Sequence, residues 1–89
     1  EAYHFGLVGH VVPAGTALDK ARSLAERVVR NGPLAVRNAK EAVVHSGWIA
    51  EEDARAIEAR LTRQVISSAD AREGLSAFRE KREARFTGQ

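Results

Sequence analysis

The apolar residues of this 89-residue chain recur at helical spacing in successive stretches, separated by short groups of Gly, Pro, Ser or Asn. A first helix is predicted over residues 17–30, with Thr16 at the N-cap position after the breaker at residues 13–15. A second is predicted from about residue 33 to residue 45, because Asn31-Gly32-Pro33 suits the end of one helix and the start of the next.

A third helix is predicted to begin near Ala50, where the acidic residues 51–53 would face the positive end of the helix dipole. Its apolar residues form a narrow stripe typical of pairing with another helix. The stripe consists of Ala50, Ala54, Ile57, Leu61 and Val65. A fourth helix follows the break at residues 67–69, and Asp70 and Glu73 have the spacing of a capping box. Residues 1–12 are predicted to form a turn and a short extended segment, so the fold class is mostly α.

Composition excludes several kinds of site. The chain contains no cysteine, which excludes disulfides, thiolate nucleophiles and cysteine-based zinc sites, and which fits a reducing, cytoplasmic location. No apolar run approaches the roughly 20 residues of a membrane span, so no membrane association is predicted. His4, His10 and His45 have no ligand spacing, and no metal site is predicted.

The distribution of charge argues against nucleic acid as a partner. Residues 1–45 contain six Lys or Arg and four Asp or Glu, and residues 46–89 contain eight of each. A nucleic-acid-binding domain usually presents a denser basic face. The chain also lacks methionine and opens on Glu1, so we expect it to be a processed, cleaved or partial product, with any targeting signal upstream.

Four groups of residues, in the same order along the chain, resemble one known family. These groups are Gly6-Leu7-Val8 with Val11-Val12-Pro13, Asn31-Gly32-Pro33-Leu34-Ala35-Val36 with Ala39-Lys40, Glu73-Gly74 with Ala77-Phe78, and Glu80-Lys81-Arg82. Together they resemble the C-terminal region of the enoyl-CoA hydratase/isomerase (crotonase) family. The resemblance is collinear over nearly the whole chain.

The resemblance implies a role within a larger enzyme. Members of the family have a spiral domain that supplies the oxyanion hole and the catalytic glutamates, followed by helices that drive trimer formation. Residues 1–13 would then be the end of the linker from that domain, and residues 14–89 the helical C-terminal domain. The implied partners are the upstream spiral domain, further copies in a homotrimer or hexamer, and a coenzyme A thioester as substrate, with no covalently bound cofactor.

No catalytic residue is predicted in this chain, since the family's glutamates lie upstream. The resemblance implies CoA binding by Lys81, whose ammonium could contact the phosphates or the adenine end, although it could equally serve as a partner for the helix dipole. Phe78, one turn earlier, is a candidate for the same site, with core or lid packing as the alternative. Trp48 is predicted to fill a corner between helices or an intersubunit seam.

The function predicted from the resemblance is the C-terminal part of an acyl-CoA-processing lyase in fatty-acid or related metabolism. Enoyl-CoA hydratase, which adds water to a 2-enoyl-CoA thioester, is the leading reaction. The alternative is a non-catalytic helical interaction module whose stripe from Ala50 to Val65 meets a partner protein.

Overall fold

The computed structural model describes residues 1–89 and contains four helices and no strand. The helices are α1 (Ala17–Val29), α2 (Pro33–Ser46), α3 (Glu51–Ile66) and α4 (Ala69–Glu80). All four predicted helices are confirmed, and each helix end that was predicted lies within two residues of the observed one. Residues 1–12 contain turns but no strand. None of the four helices has the length and apolar character needed to cross a membrane.

Helices α2 and α3 form the main packed unit of the structure. They run antiparallel, because the early part of α2 meets the late part of α3 across the short connection at residues 47–50. Leu61 in the α3 stripe is only 3% exposed, and the Asn38 side chain of α2 donates to the Leu61 carbonyl oxygen at 3.0 Å. The stripe is therefore a helix-pairing surface as predicted, and α2 already occupies it.

The molecule as a whole is open and flat. Its radius of gyration is 16.8 Å and its extents are 43 × 40 × 18 Å, whereas a compact domain of this length would have a radius of about 12 Å. Leu61 and Ala77 are the only buried apolar residues. Helix α1 buries none of its residues, so its apolar spacing predicted the helix correctly but its apolar face is not covered within the chain.

Two details of the helix ends differ from the sequence predictions. Thr16 occupies the N-cap position of α1, but its hydroxyl donates to the Pro13 carbonyl oxygen at 2.8 Å and accepts nothing from the helix. The capping box at Asp70 and Glu73 was wrong, because the N-cap of α4 is Ser68, whose hydroxyl accepts from the Ala71 N–H at 3.0 Å. A Ser hydroxyl placed just before the first helical residue satisfies an end N–H equally well.

Candidate functional site

Helix α4 ends in a left-handed turn at Lys81, the residue that the sequence proposes for CoA binding. Lys81 has φ 54° and is the one non-glycine residue with a positive φ. Its N–H donates to the Phe78 carbonyl oxygen at 3.3 Å, and the Arg82 N–H donates to that of Ala77 at 3.1 Å. This pair of bonds is the Schellman motif, in which the left-handed position is usually glycine.

Beyond this turn the chain folds back along α4 as an extended strap, defined here as residues 82–89. The strap makes its first attachment through Arg82, whose guanidinium bridges two acidic side chains of α4. Arg82 Nη1 lies 2.6 Å from Glu73 Oε1, and Arg82 Nε lies 2.6 Å from Glu80 Oε2. Glu73 also accepts the Arg85 backbone N–H at 2.8 Å.

This bridge shifts the proton affinity of both partners. The hydrogen bonds from Arg82 and from the Arg85 N–H lower the pKa of Glu73 from its ordinary 4.5 to about 2. The same contacts with Glu73 and Glu80 raise the pKa of Arg82 above its ordinary value. The bridge is therefore fully charged across the physiological range of pH.

The strap makes its second attachment through Asp70, which is 5% exposed. One oxygen of its carboxylate accepts the Thr87 N–H at 2.7 Å and the other accepts the Gly88 N–H at 2.8 Å. The Asp70 N–H in turn donates to the Gln89 carbonyl oxygen at 2.9 Å. Asp70 thus anchors the end of the strap, which explains why a carboxylate stands here although it does not cap the helix.

An aromatic ring fills the space between these two attachments. Phe86 is half-buried and its ring lies against Gly32 and Gly74. A Cβ atom added at Gly74 would come 3.4 Å from Phe86 Cε1, and one added at Gly32 would come 3.7 Å from its Cδ1. Both are ordinary van der Waals distances, so the Phe86 ring packs against the α1–α2 connection and α4 at the same time.

The structure brings the two predicted CoA-binding residues to the same end of α4 but not into the core. The Lys81 side chain is exposed and makes no ion pair. Phe78 is 83% exposed and so does not pack in the core that this chain forms. Its roles in CoA binding or in lid packing stay predictions. Trp48 is 88% exposed, and the predicted filling of a helix corner is wrong for the same reason. Its placement in an intersubunit seam stays a prediction.

Fewer cationic side chains are unpaired at the C-terminal end of the chain than its sequence indicates. The sequence has four cationic residues between positions 79 and 85, but Arg82 forms ion pairs with Glu73 and Glu80. Arg79, Lys81 and Arg85 are left without an acidic partner. Elsewhere, no group of three or more His, Cys, Asp or Glu side chains is arranged to hold a metal ion.

Sequence reasoning missed the strap and its carboxylate anchors. It assigned Asp70 and Glu73 to a local cap, whereas both bind backbone or side-chain groups nine to eighteen residues further along. One signal could have pointed there. The serines at residues 67 and 68 are good N-caps in their own right, which frees the acidic residues for another role.

Comparison with known proteins agrees with the resemblance seen in the sequence. A family model described as enoyl-CoA hydratase/isomerase matches residues 1–89. The chain belongs to the enoyl-CoA hydratase/isomerase family. The enoyl-CoA hydratase EchA19 of Mycobacterium tuberculosis is 43% identical over 86 residues, which are 97% of this chain and 32% of that protein. The 2,3-dehydroadipyl-CoA hydratase of Escherichia coli is 36% identical over 89 residues, which are 100% of this chain and 35% of that protein.

Solved structures of the family contain the same helical arrangement. A structure from Mycobacterium abscessus described as an enoyl-CoA hydratase/isomerase is 89% identical with a TM-score of 0.93, over 99% of this chain and 36% of that one. The enoyl-CoA hydratase of Bacillus anthracis is 39% identical, also with a TM-score of 0.93, over 99% of this chain and 34% of that one. The chain spans about a third of the length of the curated relatives it matches.

Proposed function

We propose that this chain is the C-terminal region of an enoyl-CoA hydratase, which adds water to the double bond of a 2-enoyl-CoA thioester. The observation that carries the proposal is the match of the whole chain to about a third of proteins named as hydratases. A TM-score of 0.93 to an enoyl-CoA hydratase at 39% identity supports the same assignment. The cytoplasmic location predicted from the sequence is part of this proposal.

In this proposal the chain supplies contacts rather than chemistry. Residues 1–13 are the end of a linker and residues 14–89 the helical domain that packs on an upstream spiral domain and on other copies in a homotrimer or hexamer. The exposed apolar residues support this role, since fifteen large ones are uncovered in a chain of 89 and such surface usually marks an interface. The catalytic glutamates and the oxyanion hole belong to the upstream domain, and no covalently bound cofactor takes part.

The rival reading, an independent interaction module, loses its main support in the structure. That reading needs the stripe from Ala50 to Val65 to be free for a partner protein. Its central residue Leu61 is buried and bonded through its carbonyl oxygen to Asn38 of α2. A partner could reach the stripe only by displacing α2.

Lys81 and Phe78 are the proposed contacts with coenzyme A. Two features of Lys81 support this role beyond the family resemblance. Its ammonium has no acidic partner in the structure, and its backbone has the left-handed conformation that glycine would adopt at lower cost. A side chain retained at a strained position is a reason to look for function there.

The test is CoA binding and hydration of 2-butenoyl-CoA by the complete enzyme. Lys81→Ala is expected to weaken CoA binding about tenfold at low salt, which corresponds to about 1.4 kcal/mol. The matched control is Lys40→Ala, which removes another exposed lysine without an ion pair and is expected to change nothing. Unchanged affinity in Lys81→Ala would remove the proposed contact, and a complete enzyme that does not hydrate 2-enoyl-CoA would contradict the reaction.

A further inference from the structure

Lys81 lies close to acidic groups that oppose the binding of an anion. Glu80 directly precedes it, and Glu73 is bound by Arg82, the residue that follows it. The last carbonyl groups of α4 also carry the negative end of the helix dipole. Arg82 binds both acidic side chains, at 2.6 Å each. Arg82, which is paired with acidic side chains, is therefore the direct neighbour of Lys81, which is unpaired.

We propose that Arg82 is a positioning residue for Lys81: it binds Glu73 and Glu80, holds the Lys81 backbone in its left-handed turn, and thereby leaves the Lys81 ammonium free for the phosphates of a CoA thioester. The inference rests on the proposed function, because it specifies how the CoA contact is made. Four of the five N–H groups of Arg82 already donate to Glu80, Glu73 and the Glu83 carbonyl oxygen. The Lys81 ammonium makes no ion pair, so its charge is available to a phosphate.

The charge of Glu80 matters because this acidic residue directly precedes Lys81 in the sequence. An unpaired Glu80 would repel an approaching phosphate and could pair with the Lys81 ammonium. Glu80 instead binds Arg82 Nε at 2.6 Å and makes no ion pair with Lys81. Arg82 offsets the charge of one of the two carboxylates that it binds, while Lys81 and Arg79 make no ion pair.

Arg82 also holds the backbone of the turn at Lys81. A lysine with φ 54° is in a sparsely populated conformation, which persists only where surrounding contacts hold it. The Arg82 N–H bond to Ala77 and the Arg82 side-chain bonds to Glu73 and Glu80 tie the residue after the turn to the helix before it. A planar guanidinium can span two carboxylates at once, whereas a lysine ammonium cannot do so with the same geometry.

The experiment compares two substrates of the complete enzyme, 2-butenoyl-CoA and the 2-butenoyl thioester of pantetheine, which lacks the 3′-phospho-ADP part. Arg82→Gln is expected to raise KM for the CoA thioester about fivefold, a change of about 1 kcal/mol. It should leave kcat and the KM for the pantetheine thioester within about twofold. Arg82→Lys should fall between Arg82→Gln and the unmodified enzyme. The matched control is Arg60→Gln, which removes a different arginine–carboxylate pair, with Glu41, and should leave both substrates unaffected.

A merely structural role for Arg82 would have a different signature. It would alter both substrates equally or would lower kcat, and either result overturns the inference. Combining Arg82→Gln with Lys81→Ala should give no more than the effect of Lys81→Ala alone, since the arginine is proposed to act through the lysine. Additive effects would contradict this. If Arg82→Gln does not fold, Arg82→Lys provides the same comparison of the two substrates.

The failure of this inference can be told from failure of the proposed function. If Lys81→Ala raises KM for the CoA thioester and Arg82→Gln does not, only the inference is overturned. If Lys81→Ala has no effect, the CoA contact itself is wrong and the inference falls with it. If the enzyme does not hydrate enoyl thioesters, the Kd of CoA measured by calorimetry for the same variants replaces KM, with the same expected fivefold change.

Discussion

The α2–α3 pair and the strap on α4 are held together by different physical means. The pair depends on apolar packing around Leu61, which is 3% exposed, with the buried Asn38 amide as its polar link. The strap depends on charge and hydrogen bonding, through the carboxylates of Asp70 and Glu73. One region should therefore respond to a change of side-chain volume, and the other to a change of charge or pH.

The difference also separates a scaffold from a site. The α2–α3 pair fixes the relative position of two helices. The residues at its packed contact, Leu61 and Asn38, are buried. The strap fixes the backbone on both sides of Lys81, the proposed CoA contact. Four predictions test this separation, and hydrogen exchange of individual amides in the complete enzyme can follow both regions at once.

The largest expected effect comes from the packed pair. Leu61→Ala removes the most buried side chain of α3 and should cost about 2–5 kcal/mol, because it leaves a cavity as well as losing apolar burial. Lower protection factors for hydrogen exchange are expected in α2 and α3, by the same factor at pH 7 and at pH 4. The amides of Thr87 and Gly88 in the strap are the internal control and should stay protected. Their loss of protection would show that the two regions are one cooperative unit.

The next effect concerns the buried anchor of the strap. Each carboxylate oxygen of Asp70 accepts one backbone N–H. Asp70→Asn replaces one of these oxygens by an NH2 group, which is itself a donor and cannot accept that N–H. The strap should detach at a cost of about 1.5–3 kcal/mol, the range for a hydrogen bond to a charged group. Faster exchange of the Thr87 and Gly88 amides measures it. Asp53→Asn, at an exposed acidic residue of α3, is the control, and unaltered exchange in Asp70→Asn would contradict the anchor.

A smaller effect depends on pH. The pKa of Glu73 is lowered from 4.5 to about 2, so its contribution is complete above about pH 4.5 and is lost as the pH falls towards 2. Glu73→Gln should therefore lower the protection factors of the strap amides relative to the unmodified enzyme at pH 6, with the difference in protection factor shrinking towards pH 2. A difference that stays constant over this range would show that the Glu73 charge is not what holds the strap.

The smallest effect has the opposite sign. Lys81→Gly relieves the left-handed strain and should stabilise the end of α4 by about 1 kcal/mol, while CoA binding weakens as in Lys81→Ala. The alanine variant is the matched control, because it removes the ammonium without relieving the strain. Thermal unfolding of both variants measures the difference. A glycine variant less stable than the alanine variant would contradict the strained turn.

The two regions also differ in how far the sequence predicted them. The Leu61 stripe follows from helical spacing, and Pro33 and Gly32 mark the α1–α2 boundary, so local patterns sufficed. The strap depends on contacts between Asp70 and residues 17–18 positions further on, and no periodicity signals such a pairing. The same limit applies to Phe78 and Trp48, whose apolar character predicted burial that this chain does not provide.

The central claim is that Arg82 and Glu73 form a charged bridge that holds the strap beside Lys81. A titration of the Glu73 side-chain carboxyl carbon by NMR, in the enzyme labelled at glutamate, tests it most directly. The bridge predicts that Glu73 stays ionised far below pH 4.5, with a pKa of about 2, and that this shift becomes smaller in Arg82→Gln, where the hydrogen bond from the Arg85 N–H remains. A Glu73 that titrates near 4.5 in the unmodified enzyme would contradict the bridge and the account of the strap built on it.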